Sequence, residues 1–455
     1  MNNVLFLFVL GDYMKNRKFF LKYILIFVIL FLSLLLFGFY NNQFDSMWNY
    51  SFSYAIARGQ VPYRDFNMVS TPLFSFVGAL SLLISQNYIF YMMEWAVILT
   101  VMFYFLFKLL GNNAWFMLIV LLFPFLHTIV PTYNFFCIVL LVLILYLEKR
   151  KSNDWLIGFC IGLCILTKHT VGIFFLLPSL LYIREDYKKI FKRMGGLLVP
   201  CLIFFVYLIF TNSLFQFIDL CFLGLFDFSS NSSGFTVYFY LSILLVGIIL
   251  FFIKKDYKDI LNYYILCCFS FLLPLFDSYH FLLFFSCFML AVLSKLNEFN
   301  KSFKVVLPLI LTVCIGNFFI HDGLEVKRFN NYKNLNFYFI NSNLKKIIDE
   351  MNEVFLKYNG ESTLVILSTR SSFVYIGNNL DVNYFLVFLK GNYGYNGTRK
   401  LINRIDKSDN IYIINLEEFN ELGDDTLYLY EVSEYVIDNY KLIDKVGDYG
   451  VYEKK

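Results

Sequence analysis

Charge is what this 455-residue chain has least of: only 16% of its residues are Asp, Glu, Lys or Arg, where soluble domains carry about 25%. That shortage excludes a cytosolic enzyme and a disordered tail protein. The nine cysteines all fall between Cys137 and Cys314, in apolar segments without metal-ligand spacing, and Cys267-Cys268 is an adjacent pair and not a CxxC. They read as small buried hydrophobes, which excludes a disulfide scaffold and a zinc site. Residues 322–455 hold no cysteine, no GxGxxG, no Walker loop and no His/Cys cluster. No small-residue cleavage site follows the first apolar run, so that run reads as an anchor and not as a removable signal peptide.

What the chain has is apolar mass: 59% hydrophobic and 21% aromatic residues, with mean hydropathy +0.62. It is packed into runs at 19–40, 72–84, 88–110, 114–126, 133–147, 155–167, 170–183, 197–211, 235–253, 260–276, 278–293 and 304–320. This pattern predicts a polytopic α-helical membrane protein with about 11–13 transmembrane helices. Several runs are shorter than the roughly 20 residues of a perpendicular span, and broken helices are tolerated where they line an enclosed cavity.

The net charge of +4 conceals a division: residues 1–321 carry 22 bases and 14 acids, residues 322–455 carry 16 bases and 20 acids. Basic connectors at 148–151, 184–193, 254–258 and 295–304 place one side in the cytoplasm with the N-terminus, so the excess needs no nucleic-acid partner. The opposite side receives 41–71, 127–134, the turn at 167–169, 212–234, 277–280 and everything after 321. With 72–84 as a complete span, counting from the N-terminus puts 148–151 outside. The charge clusters therefore imply that 72–84 or 114–126 does not cross completely. The division is thus a multi-span unit, 1–321, with an outward first loop at 41–71, and a small extracytoplasmic α/β domain, 322–455. In the latter, helical patterns at 334–357, 398–407 and 431–440 alternate with strand patterns at 363–368, 410–415, 442–446 and 450–453.

Fourteen acids precede residue 322. Asp12, Glu148, Asp154, Glu185, Asp186, Asp256, Asp259 and Glu298 accompany the basic clusters and read as solvated loop residues. Six remain: Asp45, Asp65, Glu94, Asp219, Asp227 and Asp277, five on outward segments and Glu94 within an apolar run. Ionisable groups at membrane depth are costly and point to function. Asp45 follows the first span by five residues and could N-cap a short helix ending at Gly59. Met47, Tyr50, Tyr54 and Ala57 would give that helix one apolar face, suited to the interface plane. Gly59-Gln60-Val61-Pro62-Tyr63-Arg64-Asp65-Phe66 and then Pro72 follow. Farther on come Gly162-Leu163-Cys164-Ile165-Leu166-Thr167-Lys168-His169-Thr170 and Pro274-Leu275-Phe276-Asp277-Ser278-Tyr279-His280.

An Asp after the first span, a short helix, a G-x-x-P-Y-x-D-F step and an opening Pro resemble the GT-C membrane glycosyltransferases. The branch in question holds the protein O-mannosyltransferases and the aminoarabinose transferase of lipid A (glycosyltransferase family 39-like). The G-L-x-x-L-T-K turn and the P-x-x-D-x-x-H turn are similar to further motifs of that group, and the layout of spans before an outward α/β domain matches as well. The resemblance implies that Asp45 is the catalytic base, that the donor is a sugar on a polyprenyl phosphate within the membrane lipid, and that the acceptor is extracytoplasmic. Family members often have a second acid beside the base, where this chain has Ser46. That departure leaves a divalent metal open; no cofactor is otherwise implied.

The residues agree with this chemistry. Displacing a lipid phosphate from a sugar needs a base for the acceptor hydroxyl and cations for the departing phosphate. Asp45 supplies the first; Arg58, Arg64 and Lys168 are the outward cations, and Asp65, Asp277 and His280 complete the candidate substrate site. His127 and His169 are weaker candidates. One carboxylate without a close second points to inversion by single displacement. A transporter or flippase of lipid-linked glycans would show internal repeats and paired broken helices, and none is found. A glycan polymerase would place its large outward loop centrally. Abundant Phe, Tyr, Asn, Lys and Ile hint at an AT-rich bacterial genome.

Overall fold

The computed structural model describes residues 19–35, 44–122, 131–230, 237–273, 276–295, 327–328, 333–335, 339–340, 342–358, 364–422 and 429–455. The expected span at 304–320, His127, and Pro274 and Leu275 of the late turn lie outside them. The chain is mostly helical, and its helices form a bundle with two chemically distinct ends.

Helix α1 (Phe19–Leu35) packs its first turns on the last turns of α4 (Tyr88–Leu110) through Phe19, Tyr23, Tyr104 and Phe107. The two are therefore antiparallel, and α1 delivers the chain to the far end, where α2 (Phe44–Ala57) begins. Gly59, with φ +86°, closes α2: its N–H reaches the Ile56 carbonyl and that of Gln60 reaches Ala55, the paired bonds of a Schellman cap. The expected apolar stripe on α2 is not what forms. Nearly the whole helix is buried, since it lies between α3 (Leu73–Ile84) and the C-terminal unit. Ser51 and Ser53 can be buried there because each hydroxyl bonds a carbonyl one turn back, on Met47 and Asn49.

Both ends of α3 stay at the α2 end of the bundle. Leu73 N–H donates to Leu166 O, while Gln86 just past its C-terminus accepts from Tyr50 and Arg58. Twelve residues, roughly 18 Å of helix, thus lie alongside α2 without passing to the other end. Helix α4 then runs the length of the bundle, turns through Gly111–Asn113, and α5 (Ala114–Leu122) starts back. Lys149 at the end of α6 (Tyr133–Lys149) donates to Leu109 O, so α4 and α6 run parallel. The segment 72–84 thus has both of its ends at one end of the bundle.

Helices α7 (Asp154–Ile165) and α8 (His169–Tyr182) form a short pair. The next, α9 (Tyr187–Phe210), meets α7 backbone to backbone at Gly158 and Gly196, where any Cβ would collide with the opposite carbonyl. Short α10 (Leu214–Ile218), a π-turn at Asp219–Leu223 and α11 (Gly224–Ser230) precede α12 (Val237–Lys255). Then follow α13 (Ile260–Cys267), continued by a 3₁₀ turn to Leu272, and α14 (Ser278–Ser294). Among the described residues, three helical stretches are by themselves long and apolar enough to cross a bilayer: Tyr88–Leu121, Tyr187–Phe210 and Val237–Lys255. Six further apolar helices are shorter.

The C-terminal unit opens with a two-stranded ladder, β1 (Lys327–Arg328) against β2 (Phe339–Ile340). Helix α15 (Ser342–Tyr358), β3 (Leu364–Leu367), α16 (Ser371–Gly377), α17 (Gly397–Asp406), β4 (Ile411–Asn415), α18 (Leu416–Leu422), α19 (Tyr430–Asn439), β5 (Tyr440–Val446) and β6 (Tyr449–Lys454) follow. The sheet order is β3-β4-β6-β5, with β3 and β4 parallel and the other pairs antiparallel. One sheet face is continuous with the core of the helical bundle, the other with a separate cluster around Tyr412 and Ile414. The unit is docked on α2 by Trp48 Nε1 to Thr369 O (3.2 Å) and Tyr54 OH to Asn379 Oδ1 (3.3 Å).

Candidate active site

Asp45 sits in the first turn of α2, one residue inside the helix and not at its cap, and among the described residues its carboxylate meets no hydrogen-bond donor. It lines a cavity of about 200 Å³ enclosed by α2, the 67–70 segment, the α7–α8 turn, the 3₁₀ turn before α14, α11 and the segment 387–392 of the C-terminal unit. Asn49 fixes its surroundings: the amide donates to Asp45 O (2.6 Å) and accepts from Tyr133 N–H (3.2 Å), tying α2 to the start of α6.

Lys168 ends the α7–α8 turn, where the sequence G-L-C-I-L-T-K leaves helical geometry just before α8. Its ammonium donates to Asn134 Oδ1 (2.8 Å). Burial brings its pKa down to about 8, against the pull of Cys137, Asp277 and Asp45. Asp277 caps α14, accepting from His280 N–H and sharing a 2.8 Å contact with His280 Nδ1. That contact leaves Nε2 of His280, which lines the cavity, for other partners. Burial raises the Asp277 carboxyl, but the His280 hydrogen bonds outweigh it and hold the group below the ordinary value. For Asp45 burial prevails: its carboxyl is raised, helped by Asp277 and opposed by His280 and Lys168. Four residues from three distant stretches of the chain therefore gather around a single volume. Asp45, Lys168 and His280 line it, and Asp277 acts through His280.

Arg58, Arg64 and Asp65 do not line this cavity. Arg58 is spent on the C-terminal unit, with Nε 2.5 Å from Asp381 Oδ1 and Nη1 on Asn379 and Gln86. Arg64 lies on the surface against Asp65, paired through Nε and Nη2 at 2.8 and 3.0 Å. Asp65 in turn accepts from Val61 N–H (2.7 Å), and the Arg64 bond holds its pKa low. This closes the P-Y-x-D-F loop so that Tyr63, buried at φ +70°, reaches Ser70 O. The loop's work is to aim 67–70 at the cavity. Glu94 is also structural, accepting from Ser81 N–H on α3.

Part of the wall ranked low in sequence, as His169 did, or was not singled out, as with Thr170 and Ser70. His169, Thr170 and Ser70 line the cavity, and both His169 ring nitrogens and both hydroxyls lack a partner among the described residues. Together with Lys168 and the free N–H groups that begin α8, they make a concave, donor-rich patch. The polar run Thr167-Lys168-His169-Thr170 within apolar sequence was its only signal. From the C-terminal unit come Val387, Leu389, Gly391 and Asn392. Buried Asn67 holds that strap, its amide donating to Val387 O and Asn392 O and accepting from Val387 N–H. Asp219 and Asp227 hold the strap's other end, at Tyr395 N–H and Lys400 and at Asn396 N–H. Among the described residues no three His, Cys, Asp or Glu side chains converge as metal ligands.

Two comparisons with known proteins bear on the chain. Residues 68–277 match the sequence model of glycosyltransferase family 87. The chain also shares its fold with ArnT from Cupriavidus metallidurans, a structure solved with undecaprenyl phosphate: TM-score 0.52 at 9% identity, over 96% of this chain and 98% of that one. No curated protein matches the chain. The sequence match is thus to family 87, and the family-39-like branch that the motifs resemble is not among the sequence matches.

Proposed function

We propose that the protein transfers a sugar from a polyprenyl-phosphate donor to a hydroxyl of an extracytoplasmic acceptor in the cell envelope, with Asp45 as the base. The observation that carries this reading is the convergence of Asp45, Lys168 and the Asp277–His280 pair on one cavity. The family-87 match and the fold shared with a structure holding undecaprenyl phosphate support the donor class.

In this mechanism the acceptor hydroxyl gives its proton to Asp45 while its oxygen bonds the anomeric carbon. The bond from that carbon to the phosphate oxygen breaks, and its electron pair leaves with the lipid phosphate. A raised carboxyl pKa makes Asp45 a stronger base than a solvated Asp. Lys168 and the donors of the α8 N-terminus face the leaving phosphate. Asp277 is engaged by His280, so among the described residues no second free carboxylate stands ready for a covalent intermediate, which favours inversion. The site end of the bundle, with the C-terminal unit, faces outward; the Lys149, Arg193 and Lys295 end faces the cytoplasm.

Two measurements test this. Mass spectrometry of surface glycans from cells lacking the protein should show a missing sugar that wild type restores. Asp45→Asn, at equal level in the membrane, should not, since loss of a general base costs typically 10²–10⁴-fold; full restoration by it would sink the mechanism. For topology, Asp409→Cys, whose position is 93% exposed, should react with an impermeant thiol reagent in intact cells. Labelling only after lysis would reverse the orientation.

A further inference from the structure

The C-terminal unit carries a second concavity, separate from the cavity around Asp45 and about 510 Å³ in volume, within the roughly 300–1,000 Å³ of small-molecule sites. One wall is a stripe of α17, where Lys400, Arg404 and Lys407 follow one another at i, i+4 and i+7 and share a helix face. The other wall is Tyr384 and Tyr393 of the strap, with ring centroids 5.9 Å apart and planes tilted by 52°. The Arg404 guanidinium lies 4.2 Å from the Tyr384 ring centroid, so its orientation is already set by stacking. The Tyr393 hydroxyl is buried and has no partner among the described residues. Lys400 is matched by Asp219, but among the described residues no carboxylate pairs with Arg404 or Lys407.

We infer that this concavity binds an anionic saccharide, a sugar unit bearing a carboxylate or phosphate, as part of the acceptor glycan. Planar Arg forks take carboxylates and phosphates through two parallel bonds. The half-buried Tyr384 ring, with the Arg404 guanidinium stacked on it, offers apolar surface to the C–H groups of a pyranose beside the cation. A second cation at Lys407 adds to the selectivity for negative charge. A bilayer surface fits poorly: the site is a recess between the α17 stripe and the two tyrosines, and Leu401 on the same helix is buried. The strap that supplies Tyr384 and Tyr393 also supplies Val387, Leu389, Gly391 and Asn392 to the main cavity. A glycan held on one part of the strap is therefore presented close to the mouth beside Asp45. Assignment of the ligand to the acceptor rests on the transfer reading above; the binding itself does not.

The full chain in lipid nanodiscs, titrated calorimetrically, tests this. Trigalacturonate probes carboxylate, glucose 1-phosphate probes phosphate ester, and maltotriose and inorganic phosphate are the controls. At least one anionic saccharide should bind roughly tenfold or more tightly than maltotriose and than inorganic phosphate. Arg404→Gln with Lys407→Gln, both at exposed positions, should lose that binding by a similar factor. Arg404→Lys should fall between, since it keeps the charge and loses the fork. Asp45→Asn should bind as wild type does; if that variant also kept transfer activity, the catalytic reading would fail and this one would stand. Equal affinity for inorganic phosphate and both saccharides, no effect of the double variant, or Arg404-dependent capture of phosphatidylglycerol vesicles in place of saccharides would each overturn the proposal.

Discussion

At the end of the bundle that carries the basic connectors, the buried charges are matched within the protein. Arg193 gives two bonds to Glu148 (2.6 and 2.9 Å), one to Asp154 (2.8 Å) and two to Ser179, while Tyr264 completes Glu148. Lys295 sits between Asp256 and Asp259. At the opposite end Asp45 faces open volume, Lys168 has a neutral amide for a partner, and His169, Thr170 and Ser70 have no partner among the described residues. The charges are of similar kind and depth; the complement is what differs. Matched groups hold helices in place, whereas groups left facing a cavity keep their bonding capacity for a ligand. Glu148 and Asp154, which read from sequence as solvated loop acids, belong to the first kind: Glu148 is 3% exposed.

Breaking the matched end should produce the larger effect on stability. Arg193→Ala leaves Glu148 buried without its cation, an imbalance that costs about 3–5 kcal/mol. Thermal unfolding in detergent should show a large drop. Replacing Arg193 and Glu148 together by Met should recover much of it, because a well-packed apolar pair often equals a buried ion pair. If the single and double variants were equally destabilised, the network would not be acting as a charge-matched unit.

The open end should answer in rate and pH instead. Lys168→Ala should lower kcat/KM by roughly 10–100-fold, the worth of a charge-assisted bond, with stability little changed. In the proposed mechanism the ammonium, protonated below about pH 8, would hold the leaving phosphate only in that form. Activity should therefore fall as pH rises through about 8, and the kcat/KM profile reports that free-enzyme group. Lys168→Arg, charged throughout, should remove the alkaline limb. On the acid side, activity should fail at a pH above the ordinary Asp value, because the Asp45 carboxyl is raised. An alkaline limb that persists in Lys168→Arg would assign it to another group.

How much of this was legible in sequence follows from the same contrast. Asp45 and Asp277 stood out as acids on segments assigned to the outward side, and Lys168 and His280 as polar residues of short turns between apolar runs. The strands at 364–367 and 411–415 showed in the same way, as short apolar runs between polar turns. Partners were not legible. Asp381 lies 323 residues beyond Arg58, and nothing near Arg58 or Arg64 tells a paired guanidinium from a free one. The α2 helix misled because its serines, polar on paper, satisfy themselves along the helix and can be buried. The strap at 382–396 has no repeating backbone pattern, so its part in both concavities appears only once Asn67, Asp219 and Asp227 are seen holding it.

The smallest expected effect sharpens the comparison furthest, because it concerns a cation at the site end of the bundle that is matched and away from the cavity. Arg58 is 23% exposed at its side chain and Asp381 61%. Solvent screens such a pair, and exposed ion pairs contribute about 0–1 kcal/mol. Arg58→Ala should thus cost little in thermal stability, and should leave kcat/KM for transfer within about twofold of wild type, the size of a fraction of a kcal/mol. Lys168→Ala, measured beside it, carries the same change of one positive charge on the same side of the protein. A general field effect on an anionic donor would make the two variants alike and would show a common dependence on salt. A difference of an order of magnitude between them would locate the phosphate at the α7–α8 turn. Should Arg58→Ala be the more damaged of the two in transfer, the donor's phosphate would lie nearer the α2–Asp381 junction, and the cavity around Asp45 would lose its claim to hold it.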